Sequence, residues 1–551
     1  MKKLLFGVLL AYVATATELD WWQNSVIYQI YPRSFKDSNN DGVGDLQGII
    51  DKLDHLVDAG VTALWLSPIY KSPQVDFGYD ISDFRDVDPL FGTLETFEEL
   101  VRQAKNKGLR VVLDFVPNHS SDLHEWFKKS ENSIPGYENY YIWKDGDPKT
   151  PPNSWTSNFG GPAWTYSQIR KQWYLHQFSY AQPDLNYRNP KVVQEMKDVL
   201  TFWLDLGVDG FRVDIISALF EDENFPDGPE DQFFYRNDQP ETYDMVYQWR
   251  ALLDDYQRNH GGDTRVMMTE TYSEADKVFP YYGNATHEGA HFPFNFWLIT
   301  QLNKNSTASD FKSVIDKWIN GMPAKYTANW VLGNHDQHRV ATRYGVQRID
   351  GLNMIAMLLP GVVMTYNGEE IGMENGEVSW SEGFDPQGCN GKPEDWDQTS
   401  RDFERTPYHW DDSVNAGFNE GFKTWLPVSS KYTTVNLAAQ RTNDLKTHYR
   451  IYQELVKLRQ TKTVKFGGLK TIVLSQNVLV IVRNLQGSSS YVVVVNVGGN
   501  SVVADLSSLE LSSQLTVKIP SVQSEKNPES SVFTNSIPLV GYEALVLISE
   551  K

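Results

Sequence analysis

The chain has a single cysteine, Cys389, so no disulfide closes within it. Its order must come from the size of its core, or from a bound metal. Basic residues are in deficit: 50 Lys and Arg stand against 71 Asp and Glu, a formal net charge of -21. Such a surface does not neutralise phosphates, which excludes a nucleic-acid partner. It favours a neutral or cationic one. Long apolar runs are also missing. The one candidate, Leu4 to Val13, follows Lys2 and Lys3 and precedes Ala14-Thr15-Ala16. It is short for a bilayer span, and its flanks are those of a secretory signal peptide over residues 1–16; a signal anchor is the alternative. The final residues, through Lys551, lack the spacer and tail of a lipid-anchor signal. The expected product is secreted and soluble, with no membrane span.

A chain of 551 residues exceeds one simple core, so a large domain and at least one smaller domain are expected. Strand-like runs recur at Val26–Tyr31, Val61–Leu66, Leu109–Phe115, Gly207–Ile215, Val266–Thr269, Asn329–Leu332 and Gly361–Tyr366. Between the early ones lie helical periods. Leu46, Ile49, Ile50, Leu53, Leu56 and Val57 make one, and Leu94, Phe97, Leu100, Val101 and Ala104 another. Pro190 opens a third, with Val193, Met196, Val199, Leu200 and Trp203 on its apolar side. The alternation predicts an α/β chain with a parallel sheet closed as a (β/α)8 TIM barrel. The rhythm breaks between 120 and 182, where a small inserted domain is expected after strand 3. Beyond 462 only strand patterns remain, which predicts a C-terminal antiparallel β-sandwich over 463–551. The catalytic barrel is then 17–119 with 183–462.

The chemistry centres on Gly207-Val-Asp-Gly-Phe-Arg-Val-Asp-Ile215. Residues two apart on a strand share a face, so Arg212 and Asp214 point the same way and the guanidinium holds the carboxylate ionised. Further strand runs lead into Glu270 and into Asn334-His335-Asp336. In a barrel the strand C-termini meet at one mouth, so Asp214, Glu270 and Asp336 are expected to converge. The stretch Asp37-Ser-Asn-Asn-Asp-Gly-Val-Gly-Asp45 spaces Asp37, Asn39, Asp41 and Asp45 like the first half of an EF-hand loop, with the Val43 carbonyl as a further ligand. Gly48 stands where the bidentate Glu would be. A compact structural Ca²⁺ loop or a plain polar turn fits this pattern. Asn284-Ala-Thr286 and Asn305-Ser-Thr307 fit the N-glycosylation pattern; Asn118-His-Ser120 also fits but falls within the expected site.

In order, Asp114-x-Val-x-Asn-His119, Gln182-Pro-Asp-Leu-Asn186, Gly210-Phe-Arg-x-Asp214, Glu270 and Asn334-His-Asp336 resemble the α-amylase superfamily of glycoside hydrolases, and within it the insect maltase-type α-glucosidases. The resemblance runs from Trp21 to the C-terminus. It implies Asp214 as nucleophile, Glu270 as general acid and base, Asp336 as transition-state stabiliser and Arg212 as the partner of the nucleophile. It further implies that His119 and His335 bond sugar hydroxyls, while Asp76 and Tyr79 close the end of the glucose subsite. Phe178 would be a second aromatic wall, and Arg401, or next Arg405, the cation there. A second calcium site would use Asn118, Asp184, Glu221 and the carbonyls of Ala218 and Leu219. The implied activity is exo-acting and retaining, on sucrose, maltose and short α-glucosides, with no organic cofactor. Repulsion from Asp214 and Asp336 is expected to keep Glu270 protonated. Ile215 departs from the small residue or Val usual after the nucleophile, and is expected to narrow the leaving-group subsite. Two other readings remain: a catalytically silent or moonlighting relative acting as receptor or transporter partner, and an endo-acting amylase.

Overall fold

The computed structural model describes residues 18–228, 232–441 and 446–550. The signal peptide expected over 1–16 lies outside them. Eight strands form the central sheet: β1 (Val26–Ile30), β2 (Ala63–Leu66), β3 (Arg110–Phe115), β4 (Gly210–Val213), β5 (Val266–Thr269), β6 (Phe292–Pro293), β7 (Asn329–Val331) and β8 (Val362–Tyr366). The recorded pairs are parallel and run β6-β5-β4-β3-β2-β1-β8-β7. Between β6 and β7 a side chain makes the link. Asn329 Nδ2 donates to the Pro293 carbonyl at 2.7 Å, and the Asn295 N–H donates to Asn329 Oδ1 at 2.8 Å. One amide thus replaces two ladder bonds and closes the barrel.

The local code is legible in several elements. Gly207 adopts φ 94°, which glycine reaches without strain. A Cβ on Gly210 would lie 2.4 Å from the Val266 carbonyl oxygen, so β4 and β5 approach this closely only through a glycine. Helix Leu94–Asn106 starts where the Thr93 side chain accepts from the Thr96 N–H, and buries Phe97, Leu100, Val101 and Ala104. Helix Pro190–Asp205 is capped by Asn189, and it is Val192, not Val193, that is buried beside Met196 and Trp203. The expected helix from Leu46 is two pieces, Leu46–Asp51 and Leu53–Ala59, divided at Lys52, and Val57 faces solvent.

Between β3 and β4 the chain leaves the barrel. Helix Glu125–Glu131 buries Trp126 and Phe127 in the main core, and a three-stranded sheet of Trp143–Lys144, Trp173–Leu175 and Trp164–Tyr166 carries a small core of Ile142, Trp155, Ala163, Trp164, Trp173 and Leu175. After the short helix Lys462–Phe466, a six-stranded antiparallel sheet begins at Gly468. Its alternation serves two cores. Leu479, Ile481, Val493, Val495 and Val546 join the barrel core, while Val480, Val482, Val492, Val494 and Leu547 pack under the two-stranded layer Val502–Ala504 and Ile537–Leu539. Two buried arginines tie the bodies together. Arg459 and Arg483 donate to the Met357, Leu358 and Leu359 carbonyls, at the C-terminus of helix Ile349–Leu358.

Candidate active site

Strand register builds the centre. Asp114 on β3 and Arg212 on β4 are direct partners, so their side chains leave the same face together. Arg212 Nη1 donates to Asp114 Oδ1 at 2.8 Å and to Asp214 Oδ1 at 2.6 Å. Its Nη2 lies 2.6 Å from Glu270 Oε2. One guanidinium thus holds three carboxyl groups, Asp214 among them. Glu270 meets its positive charge as well as the repulsion of its neighbours. Burial pushes Asp214 well above the ordinary carboxylate range, against Arg212 and with Glu270, Asp114 and Asp336 adding to the rise. Burial likewise pushes Asp114 up to about 6. Asp336 differs. Burial alone would raise it, but His335, with Nε2 3.3 Å from its Oδ2, and the charges of Arg405 and Arg401 hold it below the ordinary range. Arg405 Nη2 is 2.7 Å from Asp336 Oδ1, and Arg401 Nη1 is 3.4 Å from the same oxygen.

These carboxyl groups open on a cavity of 330 Å³, within the range of small-molecule sites. Asp214, Glu270 and Asp336 line it, with Asp76, Tyr79, His119, Phe178, Ile215 and Arg401. One end is shut. Asp76 receives Arg401 Nη2 at 2.8 Å and Gln182 Nε2 at 3.0 Å, and Asp385 holds Arg401 from behind at 2.6 Å. Three of the expected substrate ligands, Arg212, His335 and Arg405, do not line the cavity; they stand one layer behind. His335 Nε2 is 2.6 Å from the Tyr79 hydroxyl, and its Nδ1 is 2.8 Å from Gln29 Nε2. With Gln29 donating, the neutral ring carries its proton on Nε2. Tyr79 then donates to Asp114 Oδ2 at 3.1 Å. Burial depresses both histidines, His119 to about 4 and His335 well below its usual value, so both are neutral partners.

Ile215 carries strain. Its φ of 32° is left-handed, rare for a β-branched residue. That conformation turns its N–H onto Glu270 Oε2 at 3.0 Å and leaves the side chain on the cavity wall. Sequence reasoning did not assign roles to Asp114, Asp385, Phe159 or Gln182. Phe159 packs against Phe178 and under the Arg401 guanidinium. Asp114 and Gln182 stood inside recognisable motifs; Asp385 carries no local signal.

The second calcium site does not assemble. Gln177 Nε2 donates to both Asp184 Oδ2 and the Ala218 carbonyl, each at 2.8 Å, so an N–H group fills the place a cation would take. Asn118 turns its amide to Asp184, and Arg188 takes Glu221 at 2.7 Å. No calcium role is assigned to Asn118, Asp184, Ala218, Leu219 or Glu221. In the loop from Asp37 to Asp45 the carboxylates also receive N–H groups, Asn419 Nδ2 donating to Asp37 Oδ2 at 2.7 Å. Asp37, Asn39 and Asp41 each accept from the N–H two residues on, and Asp45 caps the following helix at Gly48. Its donor set is all oxygen, the kind a hard cation takes. Among the described residues no group of three or more His, Cys, Asp and Glu side chains is placed to hold a metal, so this loop would need its amide and carbonyl oxygens as well. Asn284 and Asn305 are both exposed, while Asn118 is buried.

The alpha amylase catalytic-domain family matches residues 29–467. The chain is 46% identical to Maltase 1 of Drosophila virilis, over 96% of this chain and 87% of that protein. It is 45% identical to the salivary alpha-glucosidase of Aedes aegypti, over 92% and 90%. It is 37% identical to the human amino acid transporter heavy chain SLC3A1, over 98% and 80%. Among solved structures it is similar to a trehalulose synthase variant, with a TM-score of 0.87 at 32% identity, covering 96% of this chain and 100% of that one.

Proposed function

The chain belongs to the alpha-amylase family of glycoside hydrolases, and from that premise we propose that it is an exo-acting, retaining α-glucosidase releasing α-glucose from the non-reducing end of sucrose, maltose and short α-glucosides. The observation that carries the proposal is the meeting of Asp214, Glu270 and Asp336 in a cavity whose far end is shut by Asp76, Tyr79 and Arg401. Breaking a glycosidic bond passes through an oxocarbenium-like state, which needs an anion on one face and a proton donor on the other. In this reading Asp214, kept ionised by the bond from Arg212 Nη1 against the upward push of burial, attacks the anomeric carbon, and Glu270 protonates the leaving oxygen and later activates water. Asp336, held anionic by Arg405 and Arg401, stabilises the cation. Asp214 and Glu270 grip adjacent nitrogens of one guanidinium fork. That supports the close spacing, about 5 Å, of retaining enzymes over the wider gap that admits a water. Proton NMR of the earliest product from maltose is expected to give the α-anomer. An initial β signal would exclude double displacement, and rapid cleavage of long starch would favour an endo-acting amylase.

Against a silent transporter partner or receptor stand the complete set of carboxyl groups and the open cavity beside them. Among the described residues no helix is long and apolar enough to cross a membrane. Secretion, with glycans on Asn284 and Asn305, is part of the same proposal. So is one calcium ion in the loop from Asp37 to Asp45, whose residues do not line the catalytic cavity. Its removal is expected to lower the melting temperature while leaving kcat on surviving enzyme nearly unchanged. An unaltered melting curve after verified removal by a chelator would sink the assignment.

Ile215 bears on substrate choice. Its side chain is on the cavity wall beside Asp214 and Glu270, where the leaving sugar would sit. The bulk of a methylene or two decides roughly 1–3 kcal/mol of selectivity. Sucrose is therefore expected to be preferred over maltose, with isomaltose-type links between them. Ile215→Ala is expected to raise kcat/KM on maltose relative to sucrose by about tenfold. An unchanged ratio would show that this side chain does not choose the substrate.

A further inference from the structure

A second cavity, of 390 Å³, backs onto the closed end of the first. Two segments serve both. The turn from Ser72 to Asp80 gives Asp76 and Tyr79 to the catalytic cavity, and Gln74 and Phe77 to this cleft. The segment after Phe384 gives Phe384 to the cleft and Gln387 to the catalytic cavity. The shared turn is built to face two ways. Gln74 and Phe77 have φ of 66° and 49°, while the Asp80 carboxylate gathers the Val75 and Asp76 N–H groups at 2.9 Å each. The left-handed step at Phe77 puts consecutive side chains on opposite sides of the wall.

The cleft wall holds one buried cation whose bonding is incomplete. Arg33 lies between the rings of Phe77 and Trp425, 5.3 and 4.7 Å from their centroids. Among the described residues its side chain makes one hydrogen bond, Nη1 to Gln74 Oε1 at 3.0 Å, and its buried Nε has no partner. Arg33 is only 9% exposed, and a guanidinium this deep ordinarily has its donors filled. Phe384, by contrast, leaves 59% of its surface open at the rim, beside Lys423.

The geometry points to a second saccharide-binding site here, taking a neutral sugar of one or two hexose units. A hexose has an apolar C–H face, which suits the rings of Trp425 and Phe384. Its hydroxyls both donate and accept, which suits Arg33, Gln74 and Lys423 together. A simple anion fits less well. The chain's charge of -21 repels anions at long range. The choice of an α-glucoside as probe rests on the α-glucosidase reading; the existence of the site does not.

The test is calorimetric titration of the whole chain with maltose while the catalytic cavity is saturated with a basic iminosugar of glucose configuration. One further maltose per chain is expected to bind, weakly. Trp425→Ala is expected to weaken it by about tenfold or more. Should that variant fail to fold, the double substitution Phe384→Ala with Lys423→Ser, both at exposed positions, is expected to do the same. Absence of maltose binding under iminosugar overturns the proposal, as does binding that these substitutions leave unchanged. Binding of sulfate without maltose would make the cleft an anion site and overturn it too. An iminosugar that neither binds nor inhibits would count against the α-glucosidase reading instead, and the cleft variants would still decide the second site.

Discussion

Asp214→Asn is expected to abolish turnover while leaving the fold intact. Asn has the same size and keeps an oxygen to receive Arg212 Nη1, which now lies 2.6 Å from Asp214 Oδ1. The substitution removes the nucleophile, and with it the negative charge that would face the developing cation. Loss of the two together corresponds to several kcal/mol, about 10⁴-fold or more in kcat. Neutralising Asp214 also relieves a crowded cluster. Asp114, Asp214 and Glu270 share one guanidinium, and burial already drives Asp214 upward. The variant is therefore expected to melt no lower than the parent. Hydrolysis of a chromogenic α-glucoside and a thermal melt on the same preparation check both halves. Activity within a hundredfold of the parent, free of contaminating enzyme, would put the nucleophile elsewhere.

The centre of the site was legible because local rules produced it. Arg212 stands on β4 with Asp214 directly after its end, and Glu270 directly follows β5. What joins these pieces was not legible. Asp114 and Arg212 are register partners, a relation set by sheet order and invisible along the chain. A two-residue strand such as Phe292–Pro293 has no period to detect, and the bond that links it to β7 belongs to the side chain of Asn329. The second calcium site failed for a related reason. Asp184 and Glu221 carry the right chemistry, but whether a cation or the Gln177 amide lies between Asp184 and the Ala218 carbonyl depends on the inserted domain's path. His335 stands behind Tyr79, its Nε2 2.6 Å from the hydroxyl, a placement that no local pattern announces. Asp385 sits in a loop without periodicity, and its role emerges only from the company of Arg401.

That company sets the second large effect. Arg401 joins Asp76 at 2.8 Å, Asp385 at 2.6 Å and Asp336 at 3.4 Å, with its guanidinium over Phe159. Arg401→Ala leaves Asp76 and Asp385 buried without their nearest cation. Breaking a buried pair by removing one member costs about 3–5 kcal/mol. Asp385 keeps backbone donors and Arg405 remains for Asp336, so the loss concentrates on Asp76. Burial already raises Asp76, and Arg401 is the chief charge holding it down. Without that charge Asp76 is expected to hold its proton to higher pH and to lose its value as an acceptor for a sugar hydroxyl. The expected result is a fall in kcat/KM of about 10³-fold, with KM rising and part of the activity returning as pH is raised. Arg401→Lys is not expected to rescue it, since one ammonium does not span Asp76 and Asp385 as the planar fork does. Asp76→Asn provides the check if the Ala variant is unstable, because it removes the same acceptor without stranding a charge. It should reproduce the rise in KM but not its pH dependence. A folded Arg401→Ala enzyme with kcat/KM within tenfold of the parent would show that the closed end of the cavity does not hold the terminal sugar through this pair.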